Sequence, residues 1–103
     1  MRIALIGAGS IGTILGALIS KAGIDIELVD SHKEHIDALN KNGAKIVGFL
    51  NSTIPVKAIM PWQMTGKYDL IISTTKQTAL KESLTSALQY MHDHTVVLTL
   101  QNG

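Results

Sequence analysis

Ile3-Ala4-Leu5-Ile6-Gly7-Ala8-Gly9-Ser10-Ile11-Gly12 is the stretch whose reading decides the fold. The unbroken apolar run Ile3 to Ile6 predicts a strand buried on both faces, as in a parallel sheet. Gly7 ends the run, and the period of the apolar residues then changes. Ile11, Ile14, Leu15, Leu18, Ile19 and Ala22 recur at spacings of three and four, which predicts a helix. Gly23 stands where a helix of this length is usually stopped. Ile24, Ile26 and Leu28 alternate with Asp25 and Glu27 and predict a second strand. A G-x-G-x-x-G run means little alone. Between a strand and a helix, inside a βαβ unit of about 30 residues, it is the dinucleotide-binding fingerprint.

Each glycine of that turn has a chemical reason. Gly7 makes the tight bend, Gly9 leaves the backbone open to a pyrophosphate, and Gly12 lets the helix press against the strand. Gly16 extends the close packing by one turn. The free N–H groups of Ala8, Gly9, Ser10, Ile11 and Gly12, at the positive end of the helix dipole, suit a phosphate. Asp30 ends the second strand, 18 residues after Gly12, where a carboxylate can accept hydrogen bonds from ribose hydroxyls. The expected cofactor is NAD or NADP. NAD is favoured, because Asp30 would repel a 2′-phosphate by about 4 kcal/mol at 4 Å and an effective dielectric near 20. His32 and Lys33 follow at once and can soften that preference. The other use for Asp30 is as a helix cap, but Ser31 with Glu34 already forms a capping box.

Outward from this unit, a second helix carries Ile36 and Leu39 and ends near Asn42-Gly43. Lys45–Val47 and Ile54–Ala58 read as short strands joined by a loop through Asn51-Ser52, and Pro61 and Gly66 bracket a short helix or loop. Asp69–Ser73 is a further buried strand. Leu80, Leu84, Ala87, Leu88 and Met91 mark a helix, and Thr95–Leu100 is the last strand. This alternation predicts an α/β fold. It is a Rossmann-type doubly wound parallel sheet with helices on both faces, in the order 3-2-1-4-5. Residues 1–103 make one dinucleotide-binding domain. The chain stops at Gln101-Asn102-Gly103, on the sheet edge where such folds bind ligands, so the expectation is a piece of a longer enzyme.

Composition narrows the classes. Net charge is +1 with no basic stripe, which argues against a nucleic-acid partner. There is no cysteine, so neither a disulfide framework nor a thiolate metal site is expected. No apolar run reaches membrane-spanning length, and a cytoplasmic protein is expected. His32 with His35, and His92 with His94, lack further ligands at metal spacing, so no metal is expected. Ser73-Thr74-Thr75 reads as helix capping and Trp62 as a packing residue in a loop.

Three further stretches carry a family signal. Thr74-Thr75-Lys76 follows the fourth strand, and Val97-Leu98-Thr99-Leu100-Gln101-Asn102-Gly103 closes the fifth. The second helix region reads His35-Ile36-Asp37-Ala38-Leu39-Asn40-Lys41-Asn42-Gly43. With the opening turn these resemble the N-terminal domain of the ketopantoate reductase (2-dehydropantoate 2-reductase) family, over the whole chain. The resemblance implies reduction of a 2-oxo acid, ketopantoate or a related branched one, to a 2-hydroxy acid by hydride transfer, and so a role in pantothenate biosynthesis. It places Lys76 and Asn102 beside the nicotinamide ribose and the substrate, with Thr75 adjoining. A lysine at a helix start also opposes the helix dipole, so stability alone does not account for Lys76. Relatives preferring NADP often carry a basic residue where this chain has Asp30-Ser31, and the family commonly has a glutamine three residues after the lysine, where this chain has Ala79. The family's general acid, a lysine, comes from a helical C-terminal domain absent from this chain, so the chain alone is expected to be inactive. A homodimer is a possible assembly. The competing function is a nucleotide-sensing regulatory domain, such as those gating potassium transporters. Such a domain shares the glycine turn and the acid but has no need of Lys76 or Gln-Asn-Gly.

Overall fold

In a computed structural model, the structure describes residues 1–7, 9–46, 52–74 and 77–100. Strand β1 (Ile3–Ile6) leads through the glycine turn into helix α1 (Ser10–Lys21), then β2 (Ile26–Val29) and α2 (Lys33–Asn42). Three short strands follow, β3 (Ala44–Ile46), β4 (Ser52–Ile54) and β5 (Lys57–Ile59), and then a single 3₁₀ turn at Pro61–Gln63. Strand β6 (Tyr68–Ser73), helix α3 (Gln77–Ala87), a second 3₁₀ turn (Leu88–Tyr90) and strand β7 (Met91–Thr99) complete the order.

The main sheet runs β5-β2-β1-β6-β7 and every neighbouring pair is parallel. This is the expected order, with β1 central and β5 as the third strand. The middle of the chain differs from expectation. Ile54–Ala58 is not one strand. Pro55 has no N–H to give a ladder, and the run breaks there. Ile54 stays behind in an antiparallel pair of β4 with β3, outside the main sheet, while Lys57–Ile59 joins β2. The exposed edge of β5 is completed by a side chain. The Asn40 amide of α2 donates to the Ala58 carbonyl at 2.7 Å and accepts from its N–H at 2.9 Å.

Both faces of the sheet are covered. Leu28 packs with Ala17 of α1 and with Ile36 and Leu39 of α2. On the other face, Ala4, Val29 and Ile71 meet Ala87 of α3 and Met64. The closest contact of α1 is made by its small residues, with Leu15 and Ile19 packed beside them against Ile3, Leu5, Ile26 and Ile72. A Cβ on Gly16 would lie 2.8 Å from Leu28, so glycine sets that approach. Ala17 is fully buried, whereas Ile11, Ile14 and Leu18 stay largely exposed. The helical period was legible, and Leu15 and Ile19 of the expected face do pack, but the closest approach is set by the smallest residues. Helix α1 ends as expected: Gly23 takes φ +85° and donates to Ser20, and Ile24 donates back to Ile19.

The alternation in β2 misleads about burial. Glu27 is buried in line with its apolar neighbours, though a little less deeply. Its Oε1 accepts from the Tyr68 hydroxyl at 2.5 Å and faces Arg2 at 3.4 Å, while Oε2 pairs with Lys57 at 3.1 Å. Buried charge is tolerated because it is paired and hydrogen-bonded. Arg2 also lies over the Tyr68 ring, 4.1 Å from its centre. Desolvation and the bond to Glu27 push the Tyr68 phenol up to about 12. Beside it His92 Nε2 meets Asp69 at 2.8 Å. The Arg2 backbone N–H, 2.7 Å from Asp69, and the His92 contact hold that carboxyl below its usual range. This polar cluster lies where the strands start, opposite the glycine turn.

Candidate functional site

At the carboxyl edge of the sheet, the glycine turn is built by bonds from two neighbouring strands. Gly7, at φ +89°, donates to the Val29 carbonyl at the end of β2, at 2.8 Å. Gly9 donates back to the Gly7 carbonyl at 2.8 Å and then serves as the N-cap of α1. Thr74, at the end of β6, completes the clamp. Its N–H donates to Ile6 at 2.9 Å, and its hydroxyl donates to the carbonyls of both Ile6 and Gly7. Thr74 donates its hydroxyl to the turn because β6 runs beside β1 and ends level with it. Sequence reasoning missed this role. The available signal was a hydroxyl residue directly after the strand predicted to neighbour the first.

The glycines divide by what they make room for. A Cβ on Gly12 would meet the Gly7 carbonyl oxygen at 2.7 Å and Leu5 and the Thr74 hydroxyl at 3.0 Å. The fold itself demands glycine there. A Cβ on Gly9 would meet nothing within 4 Å, and its φ of −75° is open to any residue. Among the described residues, no atom requires Gly9 to be bare. Around it the first amides of α1 lack helical partners, and neither an acidic residue nor a capping side chain occupies the first turn. The start of α1 thus turns its first amides, the positive end of a helix, toward open space.

Asp30 stands at the end of β2, fixed by its N–H to the Ile59 carbonyl at 3.2 Å. Its Oδ1 accepts from the Ser31 N–H at 2.7 Å and lies 3.0 Å from His32 Nδ1. These bonds correct the expected capping box. The carboxylate gathers the chain after it, α2 begins at Lys33 with His32 as N-cap, and no side chain caps it. Asp30 Oδ2 takes part in none of these bonds. Asp30, Gly7 and Val29 line one cleft of about 560 Å³ with Trp62 and Tyr90. That volume is within the range of small-molecule sites. Trp62 is not the packing residue expected of it: it is 72% exposed, on the cleft wall. Ile11 is exposed at the start of α1. Ala8, Thr75, Lys76 and Asn102 lie outside the described residues, as does the side chain of Ser10.

Set against known proteins, residues 3–103 match the family model of ketopantoate reductase PanE/ApbA. The chain belongs to the ketopantoate reductase family. It is 42% identical over 104 residues to the 2-dehydropantoate 2-reductase of Pyrococcus horikoshii, covering 100% of this chain and 33% of that relative. Among solved structures, 2-dehydropantoate 2-reductase from Geobacter metallireducens is 31% identical with a TM-score of 0.84, over 100% of this chain and 34% of that one. A ternary structure of D-mandelate dehydrogenase with NADH and anilino(oxo)acetate is 25% identical with a TM-score of 0.82, again over 100% of this chain and 34% of that one. The chain thus spans about a third of the length of the curated relatives it matches. The Rossmann-type fold of this family is the one the glycine spacing predicted. The nucleotide-sensing alternative gains no support from these likenesses. No helix among the described residues is long and apolar enough to cross a membrane.

Proposed function

We propose that this chain is the nicotinamide-dinucleotide domain of a 2-oxo acid reductase, and that it favours NAD over NADP. One observation carries the reading. Among the described residues nothing fills the place of a Gly9 side chain, and that space lies at the start of α1, where no side chain caps the first turn. An anion able to approach the backbone closely fits there, and a pyrophosphate is such an anion. Gly7, Ala8, Gly9, Ser10, Ile11 and Gly12 hold it. Asp30 Oδ2, left over from the loop bonds, takes the adenosine ribose hydroxyls. A 2′-phosphate would put negative charge beside this carboxylate, costing up to about 4 kcal/mol at 4 Å with an effective dielectric near 20, and less where water enters.

When bound, the nicotinamide ring supplies the hydride that reduces a 2-oxo acid to a 2-hydroxy acid. The role of this chain is to hold and orient that ring against the substrate. Thr75, Lys76 and Asn102 belong to this reading as residues beside the nicotinamide ribose and the 2-oxo acid. The proton for the carbonyl oxygen comes from outside residues 1–103, so the chain alone gives no steady turnover. The similar D-mandelate dehydrogenase, whose ternary structure contains NADH, supports NADH as the donor. The reading is tested by calorimetry with NADH and NADPH. NADH binds more tightly to the parent, and Asp30→Ala narrows the gap between the two. A clear preference of the parent for NADPH contradicts the assignment of Asp30.

A further inference from the structure

Trp62 is a large aromatic side chain held outward by a well-built turn. Pro61 opens the 3₁₀ turn Pro61–Gln63. The Gln63 side chain accepts from the Met60 N–H at 2.8 Å, and the Gln63 N–H donates to the Met60 carbonyl at 2.9 Å. Met60 and Met64 are buried on either side and anchor the turn. The position of the turn is set by the sheet. Val29 pairs with Ile59, and Asp30 bonds to the Ile59 carbonyl, so the chain leaving β5 starts beside Asp30. Yet Trp62 remains 72% exposed, and it takes part in none of the ring contacts among the described residues. The turn is closed by its own hydrogen bonds, its aromatic lines the cleft, and the fold gains little burial from it.

We infer that Trp62 is the stacking wall for the adenine of the dinucleotide, in the cleft that also contains Asp30 and Tyr90. The inference rests on the dinucleotide reading above and extends it to the base. The order of groups in the ligand forces the direction. With the pyrophosphate on the glycine turn and the adjoining ribose on Asp30, the base attached to that ribose lies beyond Asp30, on the Trp62 side. The nicotinamide half leaves the turn the other way. The far rim carries Glu82, Ser86 and Gln89 from α3 and the 3₁₀ turn after it, polar groups suited to the edge of a purine. A flat π-surface on a pre-set turn loses little entropy on binding, and base stacking on an aromatic is favourable.

Trp62 is the sole tryptophan of the sequence, so its emission reports on this cleft alone. The protein is titrated with ADP-ribose, AMP, nicotinamide mononucleotide and NADH, by fluorescence and by calorimetry in parallel. ADP-ribose and AMP quench Trp62, and nicotinamide mononucleotide does not. Trp62→Ala weakens ADP-ribose and NADH on the order of tenfold without lowering Tm, and Trp62→Phe recovers most of the affinity. Unchanged emission at calorimetric saturation with ADP-ribose overturns the inference. So does full affinity in Trp62→Ala. In both cases NADH still binds and the dinucleotide reading stands. A parent protein that binds neither NADH nor ADP-ribose overturns both.

Discussion

Gly9 and Gly12 stand three residues apart in one turn, and replacing each by alanine separates what the fold needs from what a ligand needs. In Gly12→Ala the new methyl meets a backbone oxygen at 2.7 Å. That oxygen cannot retreat, because the Gly9 N–H and the Thr74 hydroxyl both hold it. Leu5 and Thr74 crowd the same methyl at 3.0 Å. Overpacking of this kind costs about 1–3 kcal/mol, and better helix propensity returns at most about 1 kcal/mol. The expected net loss is about 1–2 kcal/mol. In a domain of this size that lowers Tm by roughly 5–15 °C. In Gly9→Ala the methyl enters open space. A poorer N-cap costs up to about 1 kcal/mol, and a less flexible unfolded chain offsets about 0.4–1 kcal/mol. Stability therefore stays within about 0.5 kcal/mol of the parent. The same methyl stands where the pyrophosphate approaches, so affinity for NADH falls at least about tenfold, or roughly 1.4 kcal/mol. Thermal melts and NADH calorimetry on the two variants read both quantities. The reasoning is refuted if Gly9→Ala keeps parental affinity, or if Gly12→Ala melts like the parent.

Two further perturbations test how the fold supports that edge. Asn40→Ala removes both bonds that finish the β5 edge at Ala58. It should cost about 1–3 kcal/mol in urea unfolding and speed hydrogen exchange at the Ala58 amide; unchanged exchange contradicts the role. Tyr68 ionises near 10 in an unfolded chain but at about 12 when folded. The folded state holds that proton more tightly. Its contribution to stability is complete below about pH 10 and is lost as pH rises toward about 12. Tyr68→Phe should flatten this alkaline limb of the stability profile. Asp69 has the opposite sign, since its carboxyl is held low. Its contribution is present above the ordinary carboxylate range and disappears as pH falls through the depressed value, so Asp69→Asn should flatten the acid limb.

What the sequence made legible follows from what local pattern can encode. The strand, the glycine turn and α1 are specified by backbone needs and by the change of period at Ile11, so their places were readable. Pairing of the buried strands followed from their lengths and the intervening helices. The errors arose where a side-chain partner, near or far in the chain, decides. Ser31 has the composition of a cap, but Asp30 reaches the neighbouring amides first and moves the start of α2. Glu27 looks like the polar side of an alternation until Arg2, Lys57 and Tyr68 arrive from other elements to pair with it. Ile11, Ile14 and Leu18 obey the helical period and stay exposed, while Leu15 and Ile19 pack and the closest approach belongs to Gly12, Gly16 and Ala17, the smallest residues. Thr74 and Trp62 enter the site through strand pairing and a turn, and neither leaves a periodic trace.

The central claim is that a dinucleotide lies along the carboxyl edge of the sheet, across the glycine turn and past Asp30. The most direct measurement is an amide chemical-shift map of ¹⁵N-labelled protein during titration with NADH. The account predicts that the largest shifts fall on Gly7, Gly9, Ile11, Gly12, Asp30 and Ser31, with the Trp62 indole N–H moving in step. Resonances of Arg2, Glu27 and Tyr68 at the opposite edge should remain in place. A saturating titration that moves the opposite edge, or leaves the glycine turn unchanged, contradicts the account.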